Sequence, residues 1–255
     1  MPIVLKIGKE GKTLELTVMT YNIHHGKSVE KELNLDQIAH VIKESNADII
    51  GLNEVDKNFH KRSEFEDQIN WLAKELNMEQ AFTHSISLKS KEKDTARQYG
   101  NGLLSKYPIV KKKDHHFNFV KGLVEGRSLL EATVQLDEKM IQVYVTHLSL
   151  IPFLQNKQTN YITNCLSECS HPKIIMGDWN MKPGSRTWEK MTDILVDAWE
   201  TGGEEGAGYT YPSTQPKRRL DYIFMNTTFH IRNVEVVTTK PKASDHLPLK
   251  VTVFI

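Results

Sequence analysis

The stretch that decides the fold is IIMGDWN, residues 174–180, in which an apolar run stops at Asp178 and Asn180. The run is typical of a buried strand because branched and bulky apolar residues dominate it, and the polar residues mark its carboxyl end. Three more stretches have this form: VMTY before Asn22, IIGLN before Glu54 and VYVT before His147. Ligands of α/β sheets bind outside the carboxyl ends of strands, so we expect these polar residues at one rim.

Near the carboxyl terminus the order of polar and apolar residues is reversed. Asp221 opens the apolar run YIFM, and Ser244-Asp245-His246 precedes the apolar residues 247–255. If these two strands run antiparallel to the earlier ones, their first residues reach the same rim. The rim would then hold eight polar side chains: Asn22, Glu54, His147, Asp178, Asn180, Asp221, Asp245 and His246.

Apolar runs rich in Val, Ile, Thr and aromatic residues predict strands along the whole chain. These strands cover residues 14–21, 48–53, 80–87, 102–105, 128–136, 141–146, 173–177, 220–225, 234–238 and 247–255. Helical spacing of apolar residues predicts four helices, near residues 35–42 with Asn34 as N-cap, 65–76, 155–169 and 187–192. The pattern favours an α/β fold with mixed sheets and outer helices, in one domain over residues 1–255. Residues 200–208, rich in Gly and Glu, are predicted to be a mobile loop.

Composition excludes several classes of protein. The 255 residues are 39% hydrophobic and 25% charged, and their formal net charge is +1, which is typical of a soluble globular chain and not of a broadly basic nucleic-acid binder. The sequence has no apolar run of the roughly 20 residues needed to span a bilayer, and its first residues do not resemble a signal peptide. The 2 cysteines exclude a disulfide scaffold and favour a reducing, cytoplasmic location.

The predicted rim has the chemistry of a metal-dependent hydrolase. Its carboxylates and amides are hard oxygen ligands, which suit Mg²⁺ or Mn²⁺ better than Zn²⁺, and its two histidines supply acid or base groups. The adjacent histidines His24 and His25 argue against a zinc cluster because neighbouring side chains on a strand point to opposite faces. They remain candidates for the substrate side. The G-x-S-x-G, Walker A and H-E-x-x-H motifs are absent from the sequence.

Ordered motifs at these strand ends resemble a known family. They are TYNI (20–23), GLNEV (51–55), YGNGLLS (99–105), THL (146–148), GDWN (177–180), LDYI (220–223) and SDHLP (244–248). Together they resemble the endonuclease/exonuclease/phosphatase superfamily, which includes deoxyribonuclease I, AP endonucleases and neutral sphingomyelinases. The resemblance runs from about Leu16 to the last residue. It implies a four-layer α/β sandwich of two packed mixed sheets flanked by helices.

The resemblance also implies a metal site. Glu54 matches the family's principal metal carboxylate, and Asp245 resembles a further carboxylate of that site. Asn22 matches a residue that supports both the metal and the phosphate. The implied ion is Mg²⁺ or Mn²⁺.

Catalytic roles follow from the same resemblance. His246 resembles the catalytic histidine, paired with Asp221. Asp178 and Asn180 match the residues that orient the attacking water and the scissile phosphate, and His147 matches a phosphate-binding or acid histidine. Whether Asp178 or the Asp221–His246 pair is the general base stays open.

Three further residues are candidates for binding the phosphate or the substrate. Arg127 lies where the family often places a basic residue, although it could instead pair with a carboxylate. Asn101 is either a turn residue or a donor to the phosphate. Arg219 belongs to the basic run 217–219, which is either a solvated turn or a phosphate-positioning group, and Asp221 could merely pair with its neighbouring arginines.

The apolar segment IPFL, residues 151–154, also has two interpretations. The favoured one is the buried start of the helix at residues 155–169, and the alternative is an exposed lip that touches a lipid substrate.

These observations lead to the hypothesis of a divalent-metal-dependent phosphoesterase that hydrolyses a phosphodiester. A small-molecule or lipid-headgroup substrate is favoured because the chain has no extended basic segment for duplex DNA. The alternatives are a DNA or RNA nuclease of the same superfamily and, more remotely, a binding module that keeps the fold without catalysis.

Overall fold

Two six-stranded mixed sheets form the centre of the computed structural model, which describes residues 13–89, 95–117, 119, 125–203 and 206–255. The strands of the first sheet, in chain order, are β1 (Glu15–Asn22), β2 (Ile49–Lys57), β3 (Glu79–Leu88), β4 (Arg97–Ser105), β11 (His230–Val236) and β12 (Leu249–Phe254). They lie in the spatial order β11-β12-β1-β2-β4-β3. The strands of the second sheet are β5 (Ile109–Phe117), β6 (Arg127–Leu136), β7 (Lys139–His147), β8 (Lys173–Asp178), β9 (Val196–Asp197) and β10 (Asp221–Met225). They lie in the order β5-β6-β7-β8-β10-β9.

The main core lies between the two sheets. Val18 and Ile49 of the first sheet share a fully buried cluster with Val145, Met176 and Ile223 of the second. Alternate residues of each strand face this core because side chains of a strand point to opposite faces. The other faces of the sheets are apolar as well, and helices cover them.

Besides two short 3₁₀ turns, five α-helices are present in the described residues. They are α1 (Leu35–Ser45), α2 (Gln68–Leu76), α3 (Pro152–Ser167), α4 (Arg186–Thr192) and α5 (Ala198–Gly202). The buried faces of α1 and α2 pack on the first sheet, whereas α3 and α4 pack on the second. Asn34 caps α1 as predicted, since its side chain accepts a 3.0 Å hydrogen bond from the Gln37 amide. The order helix, sheet, sheet, helix confirms the predicted four-layer sandwich.

Strand direction brings the predicted rim together. β1 and β2 pair in parallel, as do β7 and β8, so their carboxyl ends lie at the same edges of the two sheets. β10 runs antiparallel to β8, and β12 runs antiparallel to β1. Asp221 therefore lies opposite Asp178, and the residues that precede β12 return to the same edge.

Some elements differ from the sequence prediction. The charged run 111–113, which is typical of a solvated strand face, lies on the edge strand β5, whereas the short β9 and α5 were missed. α5 covers part of the predicted mobile loop 200–208. Residues 204 and 205 of that loop, and residues 1–12 of the predicted domain, lie outside the described residues.

The favoured interpretation of the IPFL segment is right that the segment begins the helix but wrong that the whole segment is buried. Leu154 is buried, but Ile151 and Phe153 are exposed, and the neighbouring Leu150 is 74% exposed. The helix starts at Pro152 and turns only one face to the sheet, so Phe153 lies on its outer face. No helix among the described residues has the length and hydrophobicity that a bilayer crossing requires.

Candidate active site

Glu54 reaches the rim through an irregularity in β2. The register of β2 against β4 shifts between Leu52 and Val55, and Glu54 has a φ of 59°. A bulge of this kind inserts an extra residue and redirects a side chain, which here places the Glu54 carboxylate in the cavity. Burial acts to raise the pKa of Glu54, but the contacts with His25 and Asn22 and the nearby His147 together outweigh burial and hold this pKa below its usual range.

Asn22 joins the two sheets at the rim. Its Nδ2 lies 3.1 Å from Glu54 Oε1 and 3.1 Å from Asp178 Oδ2, and it donates a hydrogen bond to each. The Oδ1 of Asn22 accepts a 3.1 Å hydrogen bond from the His24 amide, which fixes the orientation of the side chain. One buried amide therefore holds carboxylates from both sheets in a common position.

His246 and Asp221 form a buried pair. His246 Nδ1 lies 2.8 Å from Asp221 Oδ2, and the other ring nitrogen faces Asp178 Oδ2 at 3.7 Å. Burial by itself lowers the pKa of His246, but the charges of Asp221 and Asp178 outweigh burial and raise this pKa to about 10. The imidazole is therefore protonated at neutral pH.

Asp178 lies between the two sheets, beside both histidines of the rim. Burial raises the pKa of Asp178 to about 7, because it outweighs the opposing charge of His246. A carboxyl group with this pKa is poised to accept a proton near neutral pH. Asp178, Asp221 and His246 also offer ligand atoms within 4.8 Å of one another, so this buried group is a second place where a cation could bind.

His147 is the neutral histidine of the site. Its Nε2 lies 3.1 Å from Asn180 Nδ2 and 3.5 Å from Asp178 Oδ2, and its Nδ1 accepts from the Arg127 guanidinium at 3.4 Å. Burial and then the charge of Arg127 hold the pKa of His147 well below its usual range. Arg127 also pairs with Glu125 at 2.9 Å, which is the carboxylate partner that the sequence suggested, and it lines the cavity as well.

Asn53 is a residue that the sequence interpretation did not single out. Its Oδ1 accepts a 2.8 Å hydrogen bond from the Asp178 amide, and its Nδ2 donates to Asn101 Oδ1 and to the Thr146 carbonyl, both at 2.9 Å. Asn101 in turn donates to the Ser128 carbonyl at 3.0 Å. The structure thus places Asn101 behind the rim, where it supports Asn53. The signal available in the sequence was a polar residue at the end of the apolar run 49–52, directly before Glu54.

His24 and His25 both face the rim, contrary to the sequence argument. That argument assumed a strand, but β1 ends at Asn22, and the two histidines occupy a short turn with φ values of 45° and 47°. The turn directs both rings toward carboxylates of the site. His25 Nδ1 lies 3.2 Å from Glu54 Oε2, and His24 Nδ1 lies 3.9 Å from Asp245 Oδ1.

Arg219 does not reach the rim. Its side chain is buried, pairs with Asp197 at 3.2 Å and with Glu200 at 2.7 Å, and lies over the ring of Tyr222. The expected contact with the substrate is therefore wrong, since an arginine that is held in place by two carboxylates behind β10 cannot turn outward. Its neighbour Arg218 is exposed and lines the cavity instead.

A cavity of about 960 Å³ opens over these residues. Most of the predicted rim lines it: Glu54, His147, Asp178, Asn180, Asp245 and His246, together with Arg127. Arg62 lies on one side of the cavity. Its guanidinium makes a bidentate contact to the buried Asp56, at 2.8 and 2.9 Å, and lies beside the rings of Phe59 and Tyr99. On the other side lie two exposed cations, Lys182 and Arg218, beside Tyr211. The cavity combines cations and aromatic rings around a carboxylate centre.

Comparison with known proteins agrees with this geometry. A profile of the endonuclease/exonuclease/phosphatase family matches residues 19–246, a span that includes every residue of the rim. The two sheets and the polar rim define a phosphoesterase-type sandwich. The chain belongs to the endonuclease/exonuclease/phosphatase family, a family of hydrolases.

Solved structures show the same fold. An endonuclease/exonuclease/phosphatase from Beutenbergia cavernae is 25% identical, with a TM-score of 0.78 over 94% of this chain and 71% of that chain. A family protein from Bacteroides thetaiotaomicron is 18% identical, with a TM-score of 0.74 over 96% and 99% of the two chains. A mannosyl-6-phosphatase from the same organism is also 18% identical, with a TM-score of 0.72 over 93% and 99%. At these lower identities the likeness concerns the fold alone.

Proposed function

We propose that this protein is a divalent-metal-dependent hydrolase of phosphodiesters, with a small-molecule or lipid-headgroup substrate. The observation that carries the proposal is the amide of Asn22, which holds Glu54 of one sheet and Asp178 of the other at 3.1 Å each, beside the buried His246–Asp221 pair. This arrangement sets a candidate metal carboxylate next to a candidate base and a cationic histidine.

Glu54, Asn22 and Asp245 would hold the metal. Their donor set fits a divalent cation, since Glu54 and Asp245 line the cavity, Asn22 contacts Glu54, and the pKa of Glu54 is held low enough to keep it ionised. When bound, Mg²⁺ or Mn²⁺ neutralises charge on the phosphate oxygens. The buried group of Asp178, Asp221 and His246 is a second position for a cation, since its ligand atoms lie within 4.8 Å of one another and Asp221 Oδ1 has no hydrogen-bond partner among the described residues.

Different residues of the protein carry out the proton transfer and the stabilisation of charge. Asp178, with a pKa of about 7, accepts the proton of the attacking water. His246, held protonated by Asp221, stabilises the phosphate oxygens. The raised pKa of Asp178 favours Asp178 over the Asp221–His246 pair as the base. Asn180 and the neutral His147 orient the phosphate from the second sheet, and Arg127 binds it from the side.

Two features of the cavity mouth support a small or lipid diester. Leu150 lines the cavity and is 74% exposed. Phe153, in the apolar lip formed by residues 151–154, is 62% exposed. Apolar side chains exposed beside a reactive cavity are typical of a surface that contacts an apolar partner. Duplex DNA, by contrast, needs many phosphate contacts, and a net charge of +1 supplies few.

An activity panel tests the proposal. We expect hydrolysis of bis-p-nitrophenyl phosphate, and of sphingomyelin or a phosphoinositide, with Mg²⁺ or Mn²⁺ and none with EDTA. Plasmid and abasic duplex DNA at physiological salt represent the nuclease alternative, and mannose 6-phosphate represents a monoester. Efficient plasmid nicking that Glu54→Gln abolishes would replace the preferred substrate class, and hydrolysis of the monoester alone would exclude diester chemistry. The predicted cytoplasmic location stays a prediction.

A further inference from the structure

Three large apolar side chains are exposed together where α3 begins beside the cavity. They are Leu150, Ile151 and Phe153, and Leu150 also lines the cavity. Single exposed apolar side chains are common on protein surfaces, but a contiguous group of large ones marks a surface that contacts an apolar partner. One turn further along α3 the outer face is polar, with Lys157 and Asn160. The apolar group is therefore confined to the end of the helix that lies nearest the cavity.

Buried hydrogen bonds hold this group in its exposed position. The Ser149 amide donates to Gln158 Oε1 at 2.9 Å, and Gln155 Nε2 donates to the Ser149 carbonyl at 3.2 Å. Gln155 Nε2 also donates to the Asn180 carbonyl at 2.9 Å, just beyond the carboxyl end of β8. Because Ser149, Gln155 and Gln158 are themselves buried, they fix the start of α3 to the catalytic rim. The apolar side chains therefore stay at the mouth of the cavity.

Three cations flank the apolar group. Lys157 Nζ lies 4.6 Å from the centroid of the Phe153 ring, and Lys182 and Arg218 line the cavity together with Leu150. All three cations are exposed. The ion pairs between carboxylates and lysines or arginines in the described part of the chain involve other residues, so these three charges are free. Free cations around exposed apolar side chains match a partner in which anionic groups lie above an apolar layer.

We infer that this part of the protein docks on the surface of an anionic lipid bilayer. The docking face consists of Leu150, Ile151, Phe153, Lys157, Lys182 and Arg218. Its apolar side chains enter the bilayer between the headgroups, and its cations contact the anionic headgroups. Duplex DNA would use the cations but leave the apolar side chains in water, and an uncharged bilayer would use the apolar side chains alone. The inference goes beyond the proposed function, because the bilayer is bound as a surface whether or not one of its lipids is hydrolysed.

Co-sedimentation of the protein with vesicles in EDTA tests the docking face, since neither a metal nor turnover takes part. Vesicles of phosphatidylcholine are compared with vesicles of phosphatidylcholine and phosphatidylserine in equal parts, at physiological salt. We expect the protein to bind the second kind and to bind the first only weakly. Lys182→Gln/Arg218→Gln should lower the affinity for anionic vesicles about fivefold for each cation. Phe153→Ser should lower it about tenfold, because an apolar side chain no longer leaves water.

Matched controls carry the same changes elsewhere on the surface. Lys43→Gln/Lys74→Gln removes two exposed cations from α1 and α2, which cover the other sheet. Ile194→Ser removes an exposed apolar side chain that does not line the cavity. Circular dichroism shows that each variant is folded, and we expect both controls to bind like the wild type. Equal affinity for the two kinds of vesicle, or equal losses in a variant and its control, would overturn the inference.

Two other occupants of the same face give different results. Anisotropy titration with a fluorescent duplex DNA at physiological salt should show no binding, and sedimentation equilibrium should show a monomer. Duplex binding that Lys182→Gln/Arg218→Gln abolishes, without vesicle binding, would overturn the inference and assign the face to nucleic acid. Self-association that Phe153→Ser abolishes, without vesicle binding, would overturn it and assign the face to a second copy of the chain.

Fluorescence of Phe153→Trp tests insertion directly, because the change keeps an aromatic side chain at the tip of the docking face. We expect brominated phosphatidylcholine, mixed into vesicles with phosphatidylserine, to quench Phe153→Trp more than Ile194→Trp or the wild type. Equal quenching in all three proteins would overturn the inference. Insertion into vesicles without hydrolysis of any phosphodiester would contradict only the proposed function. Hydrolysis of phosphodiesters without a preference for anionic vesicles would contradict only this inference.

Discussion

His246 Nδ1 lies 2.8 Å from Asp221 Oδ2, and both side chains are buried. This contact keeps the imidazole protonated and orients its other nitrogen toward Asp178. Because each residue acts through the other, the two should behave as one unit in catalysis.

The first prediction concerns this unit. His246→Ala and Asp221→Ala should each lower turnover on the order of 10²–10⁴-fold, because a positioned charge and proton donor is lost. The double variant should be little worse than either single one, since the members of a unit are not additive. Steady-state kinetics with bis-p-nitrophenyl phosphate, on proteins shown to be folded, measures this. Strictly multiplicative losses would show that the two residues act independently.

The second prediction concerns stability as a function of pH in EDTA. The pKa of His246 is raised to about 10 in the folded protein from 6.5, so its contribution to the free energy of unfolding is full below pH 6.5 and is lost as pH rises through 10. Urea unfolding at pH 7 and pH 10 should show this decrease in the wild type and a smaller one in His246→Asn. An identical decrease in the two proteins would contradict the raised pKa.

The third prediction concerns Asn53. Asn53→Ala should destabilise the protein by about 3 kcal/mol, because the Asp178 amide and the groups around Asn101 lose buried partners, and it should also lower kcat. Asn226→Ala is the control, since Asn226 ties β10 to Lys173 at the far end of the sheet. We expect the control to lose stability without a loss of kcat in the folded enzyme. Unchanged kcat in folded Asn53→Ala would restrict Asn53 to a structural role.

The rim itself was predictable because it follows from local signals. An apolar run that ends in a polar residue marks a strand end. The alternation of helices and strands indicates parallel strands, so the ends that carry Asn22, Glu54, His147 and Asp178 lie at the same edge. Near the carboxyl terminus the polar residue comes before the apolar run, and this reversal predicted the antiparallel strand that begins at Asp221.

The remaining features depend on contacts between distant parts of the chain. Arg219 was misassigned because its partners Asp197 and Glu200 lie in a segment whose short helix and strand have no strong periodicity. The orientation of His24 and His25 depends on a left-handed turn that Gln68, 43 residues away, helps to fix. Phe153 points outward because of the rotation of α3 on its sheet, which sequence spacing leaves undetermined.

The fourth prediction concerns the apolar lip. Because Phe153 is exposed, Phe153→Asp should leave the unfolding temperature and the hydrolysis of a soluble diester nearly unchanged, while it lowers hydrolysis of lipid in vesicles. Ile194→Asp is the matched control, as Ile194 is an exposed apolar residue that does not line the cavity. Equal vesicle activity in wild type and Phe153→Asp would remove the lip as support for a lipid substrate.

The measurement that tests the central claim most directly is the rate of bis-p-nitrophenyl phosphate hydrolysis by metal-stripped protein before and after a divalent cation is restored. We predict no hydrolysis in EDTA, recovery with Mn²⁺ or Mg²⁺, and no recovery in folded Glu54→Gln, because its carboxylate anchors the cation at the rim. Full activity of Glu54→Gln in the presence of EDTA would contradict a metal-dependent phosphodiesterase.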